Sequence, residues 1–146
     1  MILDALHQFS AAQAITAAAA STNYVDLGVA NRDIGAGEDL YLAVTVDVAF
    51  TDGSSNSTLS VVIEGDSTTT FTPDATDTLG IIPALAAAGD KNYFRLHPGL
   101  ASLQYRYIQV KYTPNNGDLS TGSVSTHIVR GIDANKVFPN GYTITG

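Results

Sequence analysis

Between Leu40 and Phe50 the chain alternates with a period of two: Leu40, Leu42, Val44, Val46, Val48 and Phe50 fall on one face, and Tyr41, Thr45 and Asp47 on the other. Successive strand side chains point to opposite sheet faces, so this run is a half-buried β-strand with its apolar row on a core. A helix would scatter the same side chains around its axis. The turn that opens the strand, Asp33-Ile34-Gly35-Ala36-Gly37-Glu38, begins like a nucleotide loop. Such a loop follows a strand and opens a helix, whereas this one opens a strand, so it is read as a turn.

Further short strands are expected at residues 23–27, 58–64, 68–72, 78–82, 93–96, 105–112 and 123–130. The separators carry turn chemistry: Asp52-Gly53, Gly65-Asp66, Gly89-Asp90, Pro98-Gly99, Pro114-Asn115-Asn116-Gly117 and Asn140-Gly141. Eight strands at this spacing predict an all-β sandwich or barrel. In the strand at 105–112, Ile108 and Val110 point away from Tyr105, Tyr107 and Gln109, which predicts partial burial of both faces.

Residues 1–21 differ in character and are expected to form an N-terminal arm, with residues 22–146 as a single sandwich domain. Ile2, Leu6, Phe9 and Gln13 sit at helical spacing, and Ser10 with Gln13 has the form of a capping box. The alternative is an extended arm in which Ile15 and Thr16 begin a strand. Leu3, Leu6, Phe9 and Ile15 are apolar on an otherwise polar end, which makes them the candidate contacts with a shell or a sister subunit. The competing reading is that they cover the domain's own core.

At 146 residues the chain is one domain by default, and a domain of this size buries roughly 68–70% of its unfolded surface. It has no cysteine, so disulfides, thiolate nucleophiles and Cys-based zinc sites are excluded. The net charge of −7 argues against a grip on nucleic-acid phosphates. That charge is uneven: residues 1–73 hold nine acids against Arg32 alone (−8), and residues 74–146 hold five acids and six bases (+1). No basic residue precedes Arg32, so the Ala-rich start lacks the n-region of a signal peptide. No run approaches the ~20 apolar residues of a membrane span, and synthesis as a soluble cytoplasmic chain is expected.

No residue set points to catalysis, a metal or a cofactor. His7, His97 and His127 are far apart and show no zinc-ligand spacing, and His127 reads as a sheet-surface residue. Asp52, Asp66, Asp74 and Asp77 lie in polar loops without an EF-hand pattern. Glu38 and Glu64 are the only glutamates and nothing pairs them, while G-x-S-x-G is absent. The chain is therefore expected not to be an enzyme. Tyr93, Tyr105, Tyr107, Tyr112 and Tyr142 make the C-terminal half tyrosine-rich, which fits an interface or simply strand preference.

A set of segments in order along the chain carries a family resemblance. They are Leu3-Asp4-Ala5, Phe9-Ser10, Gln13-Ala14, Ser21-Thr22-Asn23-Tyr24-Val25-Asp26-Leu27-Gly28, Asp33-Ile34-Gly35-Ala36-Gly37-Glu38 and Leu40-Tyr41-Leu42. Gly80-Ile81-Ile82-Pro83, residues 96–99, the strand at 105–112, Gly122 and Phe138-Pro139-Asn140-Gly141-Tyr142 follow. Together they resemble the capsid cement (decoration) protein family of short-tailed double-stranded DNA bacteriophages, which includes a Bordetella phage member. The resemblance implies a jelly-roll-like antiparallel β-sandwich on the outer surface of the phage head, clamping neighbouring major capsid subunits against internal DNA pressure. It also implies a homo-oligomer, a two-fold dimer first and a trimer second, with no direct nucleic-acid or membrane partner. The alternatives are a carbohydrate- or receptor-binding β-sandwich of a phage particle and, behind it, a small hydrolase.

Overall fold

The computed structural model describes residues 7–32 and 39–130, so the expectations for Leu3, Leu6, Glu38, Tyr142 and the turn at 33–38 fall outside the described residues. Among the described residues nine strands form two antiparallel sheets: β1 Gln8–Ala14, β2 Ala19–Ala20, β3 Val25–Asp26, β4 Leu40–Thr51, β5 Thr58–Asp66, β6 Ala75–Ile82, β7 Lys91–Leu96, β8 Tyr107–Asn115 and β9 Thr121–Arg130. One sheet has the order β1-β9-β4-β7; the other runs β2-β8-β5-β6, with β3 also on β8. With β2 and β3 taken as two pieces of one interrupted strand, this is the eight-strand jelly roll. The chain crosses between sheets at most of its connections, and β5 and β6 form the single hairpin of consecutive strands in one sheet among the described residues.

The core lies between the sheets. Leu42, Val44 and Val46 of β4 face Leu59, Val61 and Ile63 of β5 and Ile108, Val110 and Tyr112 of β8, all of them 0% exposed. Burying a side chain of this kind stabilises by about 1.5–3 kcal/mol relative to leaving it exposed. The alternation expected of β4 holds to Val46 and then skips. A register shift against β9 between Val46 and Val48 inserts an extra residue, which turns Val48 outward to 51% exposure. Phe50 returns to the core, where its ring packs so closely on Gly122 that a Cβ there would stand 2.6 Å from it. As expected, β8 buries both faces in part: Gln109 points away from the core and is still only 9% exposed.

The segment expected as an arm is, over its described part, built into both sheets. β1 pairs with β9 and β2 with β8, so no boundary separates residues 7–21 from the sandwich. Phe9 and Ile15 are both 0% exposed, because the inward side of β1 and the turn after it close one side of the core. Ser10 and Gln13 do bond to each other, at 2.7 Å, but across a bulged strand with Ala12 at φ 46° rather than in a helix cap. Ser10 Oγ also lies 2.8 Å from the Tyr112 hydroxyl, which donates to Thr126 Oγ1 at 2.8 Å, and this buried chain fastens β1 and β9 to β8. Burial pushes the Tyr112 hydroxyl up to about 12.

Residues 68–72, expected as a strand, form a turn instead. Asp66 Oδ1 accepts both the N–H and the hydroxyl of Thr68, and Asp74 Oδ2 accepts the N–H of Ser67. These side chains offer the backbone a local alternative to a ladder. A 3-10 turn at Ala101–Gln104, unforeseen in the sequence, plugs the same end of the core: the Ser102 N–H donates to Asp77 Oδ2 at 2.8 Å. Its backbone crosses so near Gly65 that no side chain fits there. Among the described residues no helix is long and apolar enough to cross a membrane.

Candidate functional site

The strand directions sort the connections to two ends of the sandwich. Residues 15–18, 52–57, 83–90 and 116–120 gather at one end, which carries Asp52, Asp90 and Asp118 and no Lys or Arg in those connections. Residues 27–32, 67–74 and 97–106 gather at the other end, which holds Arg32 and Arg106. There, three segments distant in sequence build an exposed aromatic cluster. Tyr24, at the mouth of β3, meets Phe71 from the β5–β6 loop (centroids 5.7 Å, tilted 52°) and Tyr107 at the start of β8 (5.8 Å, edge-on at 86°).

Arg106 completes the group. Its guanidinium lies 4.9 Å from the Tyr107 ring centroid and donates through Nε and Nη2 to both oxygens of Asp26, at 2.8 and 2.9 Å. The Arg106 hydrogen bonds and the Gly28 N–H hold the Asp26 carboxyl down at about 2. The pairing arises because β3 and β8 lie side by side, with Asp26 opposite Tyr107. Phe71 reaches Tyr24 from a left-handed backbone (φ 44°), a conformation that costs a bulky residue about 1–3 kcal/mol. Tyr24 is 47% exposed, and Val29 in the turn beyond β3 is 60% exposed.

Chemically, the group has the side-chain types that suit contact with another surface. Tyr and Phe supply large contact area with few rotatable bonds, and here tilted and edge-on ring contacts hold them while a bidentate ion pair holds the longer Arg106 side chain, so ordering them on binding costs little. Among the described residues no three of the His, Asp and Glu side chains converge as metal ligands. Glu64 lies one row along the same outer sheet face, 4% exposed, and accepts a hydrogen bond from Gln109 at 2.7 Å with Lys111 3.9 Å away. His127 faces outward from its sheet, as expected, yet is only 8% exposed beside Ala43, and this burial lowers its pKa.

Of the residues singled out as contacts from the sequence, the two that are described do not form this surface. Phe9 and Ile15 lie in the core, and Leu3 and Leu6 are outside the described residues. Nor do the described tyrosines of the C-terminal half make one face: Tyr112 is buried between the sheets, Tyr93 lies on the outer side of β7, and of these Tyr107 joins the cluster. Tyr24, Phe71 and Arg106 were missed. The available signal was Phe71 itself, a lone aromatic in the polar loop Ser67-Thr68-Thr69-Thr70-Phe71-Thr72-Pro73-Asp74, where no strand face needs one.

Comparison with known proteins bears on what such a surface serves. No curated protein matches the chain. The Bbp16 family matches residues 9–128, a span that includes the whole aromatic cluster and every described strand but the ends of β1 and β9. The chain belongs to the Bbp16 family, a phage protein family, and is a phage structural protein.

Proposed function

We propose that this protein is a capsid cement protein, without catalytic activity, that binds the outside of the assembled phage head and clamps neighbouring major capsid subunits. The observation that carries the reading is the match to a phage family over residues 9–128, which frames a sandwich whose one end offers a pre-ordered aromatic and guanidinium surface. Tyr24, Phe71, Tyr107 and Arg106 are assigned to contact with the shell. A ligand that binds the assembled lattice and not its free subunits stabilises the lattice by linkage. A homo-oligomer, a dimer before a trimer, engages more than one subunit and gains avidity of roughly 10² to 10⁴-fold. With a net charge of −7, the protein meets capsid protein and not the packaged nucleic acid.

The test compares phage particles with and without the protein. Particles lacking it assemble but release DNA at lower temperature and under milder osmotic shock, and added purified protein restores resistance. Equal resistance at verified full occupancy would overturn the cement role. The exposed Tyr24 ring, with the half-buried Tyr107 edge-on to it, also suits a sugar platform, the feature that favours a carbohydrate- or receptor-binding role. Saturable binding on a glycan array, lost in Tyr24→Ala, would support that second reading.

A further inference from the structure

Two carboxylates flank Tyr107 on the outer face of its sheet. β8 lies between β3 and β5, and Tyr107 stands opposite Asp26 on one side and Asp66 on the other. Residues paired in this way put their side chains on one face, with Cβ atoms about 4.5–5.5 Å apart. Both carboxylates are therefore neighbours of the same ring, beside the cluster that Tyr24 and Phe71 complete.

Their partners differ. Asp26 has both oxygens bound by Arg106, whose guanidinium also lies 4.9 Å from the Tyr107 ring centroid. Asp66 uses one oxygen in its own turn: Oδ1 accepts the N–H and the hydroxyl of Thr68. Its Oδ2 is buried, in a residue only 1% exposed, and has no hydrogen-bond partner among the described residues. An acceptor in that state carries the full cost of lost hydration, larger for a charged group than for a neutral one. Lys111, farther along β8, lies 3.9 Å from Glu64 instead.

We infer that the Asp66 side of Tyr107 is a receptor for a basic side chain, a lysine or arginine of the protein on which this surface docks, which donates to Asp66 Oδ2 and lies against the aromatic cluster. The inference rests on the reading of this surface as the contact with the shell, and it names the chemistry met there. Arg106 is the template: one cation held at once by a carboxylate and by the Tyr107 ring, where the second carboxylate lacks only its cation. Rings attract a cation within about 6 Å of their centroids, more strongly where water is excluded. Oδ2 is closed off in the free protein, so the 67–74 turn shifts to admit the donor. Phe71 in that turn has a left-handed φ of 44°, so a shift relieves backbone strain as the new hydrogen bond relieves the carboxylate. A basic partner is also what a molecule of net charge −7 attracts from a distance.

The test titrates the purified full chain with short blocked peptides, Gly-X-Gly with lysine, arginine, norleucine or glutamate at X, to millimolar concentration under nuclear magnetic resonance. The lysine and arginine peptides are expected to move the Tyr24 and Tyr107 ring signals and the amides of residues 67–74 along one saturable curve. Norleucine, similar in length but uncharged, and glutamate leave them in place. Asp66→Asn keeps an Oδ1 acceptor for Thr68 and removes the charge, so its affinity for both basic peptides falls roughly tenfold or more with unchanged circular dichroism. Asp52→Asn, at the opposite end, binds them as the wild type does. Should Asp66→Asn fail to fold, the contrast between peptides on the wild type decides. No saturable shift with the basic peptides, equal binding of norleucine, or unchanged affinity in Asp66→Asn would each overturn the proposal. The titration contains no phage particle and the particle-stability test no peptide, so the cation site and the cement role fail separately.

Discussion

The two ends of the sandwich are held by different means. At the acidic end a single carboxylate organises a loop: Asp52 Oδ1 accepts the N–H groups of Ser54 and Ser55, and Oδ2 those of Asn56 and Ser57. Ser57 Oγ then donates to Gly117 O at 3.2 Å, and Asn116 Nδ2 to Asn56 O at 3.2 Å, so the β4–β5 and β8–β9 loops form one unit. The bonds to Ser57 and its neighbours keep the Asp52 carboxyl at about 2. The aromatic end uses carboxylates too, Asp66 and Asp74 accepting the Thr68 and Ser67 N–H groups, but adds ring contacts and the Asp26–Arg106 pair. Backbone-to-carboxylate bonds turn polar groups inward and leave little to offer a partner. The tilted and edge-on ring contacts leave Tyr24 47% exposed, so the aromatic end keeps a large side chain at its surface where the Asp52 loop keeps none.

The largest expected effect erases the comparison altogether. Val46→Asp puts an unpaired charge into the core that both ends share, costs about 4 kcal/mol or more, and unfolds the protein, which a single loss of both circular-dichroism and binding signals would register. Next come Tyr24→Ala and Phe71→Ala, each expected to weaken particle binding by about 2 kcal/mol as hot-spot truncations, roughly thirtyfold in Kd. Asp52→Ala serves as their converse: it loosens the acidic end, lowers Tm, and leaves particle affinity unchanged. Between the two ends, Tyr112→Phe strips the hydroxyl that links Ser10 and Thr126 and costs about 1–3 kcal/mol, read by urea denaturation without change in binding.

The smallest effect is in acid titration. Asp52 and Asp26 both have folded pKa values near 2 against an ordinary 3.8, so the unfolded chain takes up protons first. Their contribution is fully present above the ordinary value and is lost as the pH falls through 3.8 towards 2. His127, whose pKa is also lowered, gives an earlier step: stability declines as the pH drops below 6.5, and His127→Gln removes that step alone. Asp52→Asn should flatten the acid limb of Tm against pH. Arg106→Ala should flatten it less, because the Gly28 N–H still binds the Asp26 carboxylate.

How far these features could be read from residues alone depends on where their partners lie. β4 is legible because its partner is a continuous apolar core, and alternation alone reports that. Val48 breaks the pattern for a reason held in β9, where the register shifts. Ser10 and Gln13 looked local and were read as a cap or an arm. Their role is set by Tyr112, 102 residues from Ser10, and by Ala20, whose carbonyl accepts the Gln13 amide. The docking cluster was hidden for the same reason: Tyr24, Phe71 and Tyr107 meet only after β3, β5 and β8 have paired. The family was legible through turns, whose chemistry is local.

The place of β9 has a consequence for how the protein is made. It lies between β1 and β4 and pairs with both, joining Gln8 to His127 and Leu40 to Arg130. A ribosome delivers that central strand after both of its neighbours, so β1 and β4 wait, with Phe9 and Val44 uncovered, until residues 121–130 emerge. At about 5–20 residues per second the wait lasts several seconds. Long-range pairing of this kind is slow as well as late. The sandwich therefore closes only after residues 121–130 have left the ribosome, and until then Phe9 and Val44 stay open to other contacts.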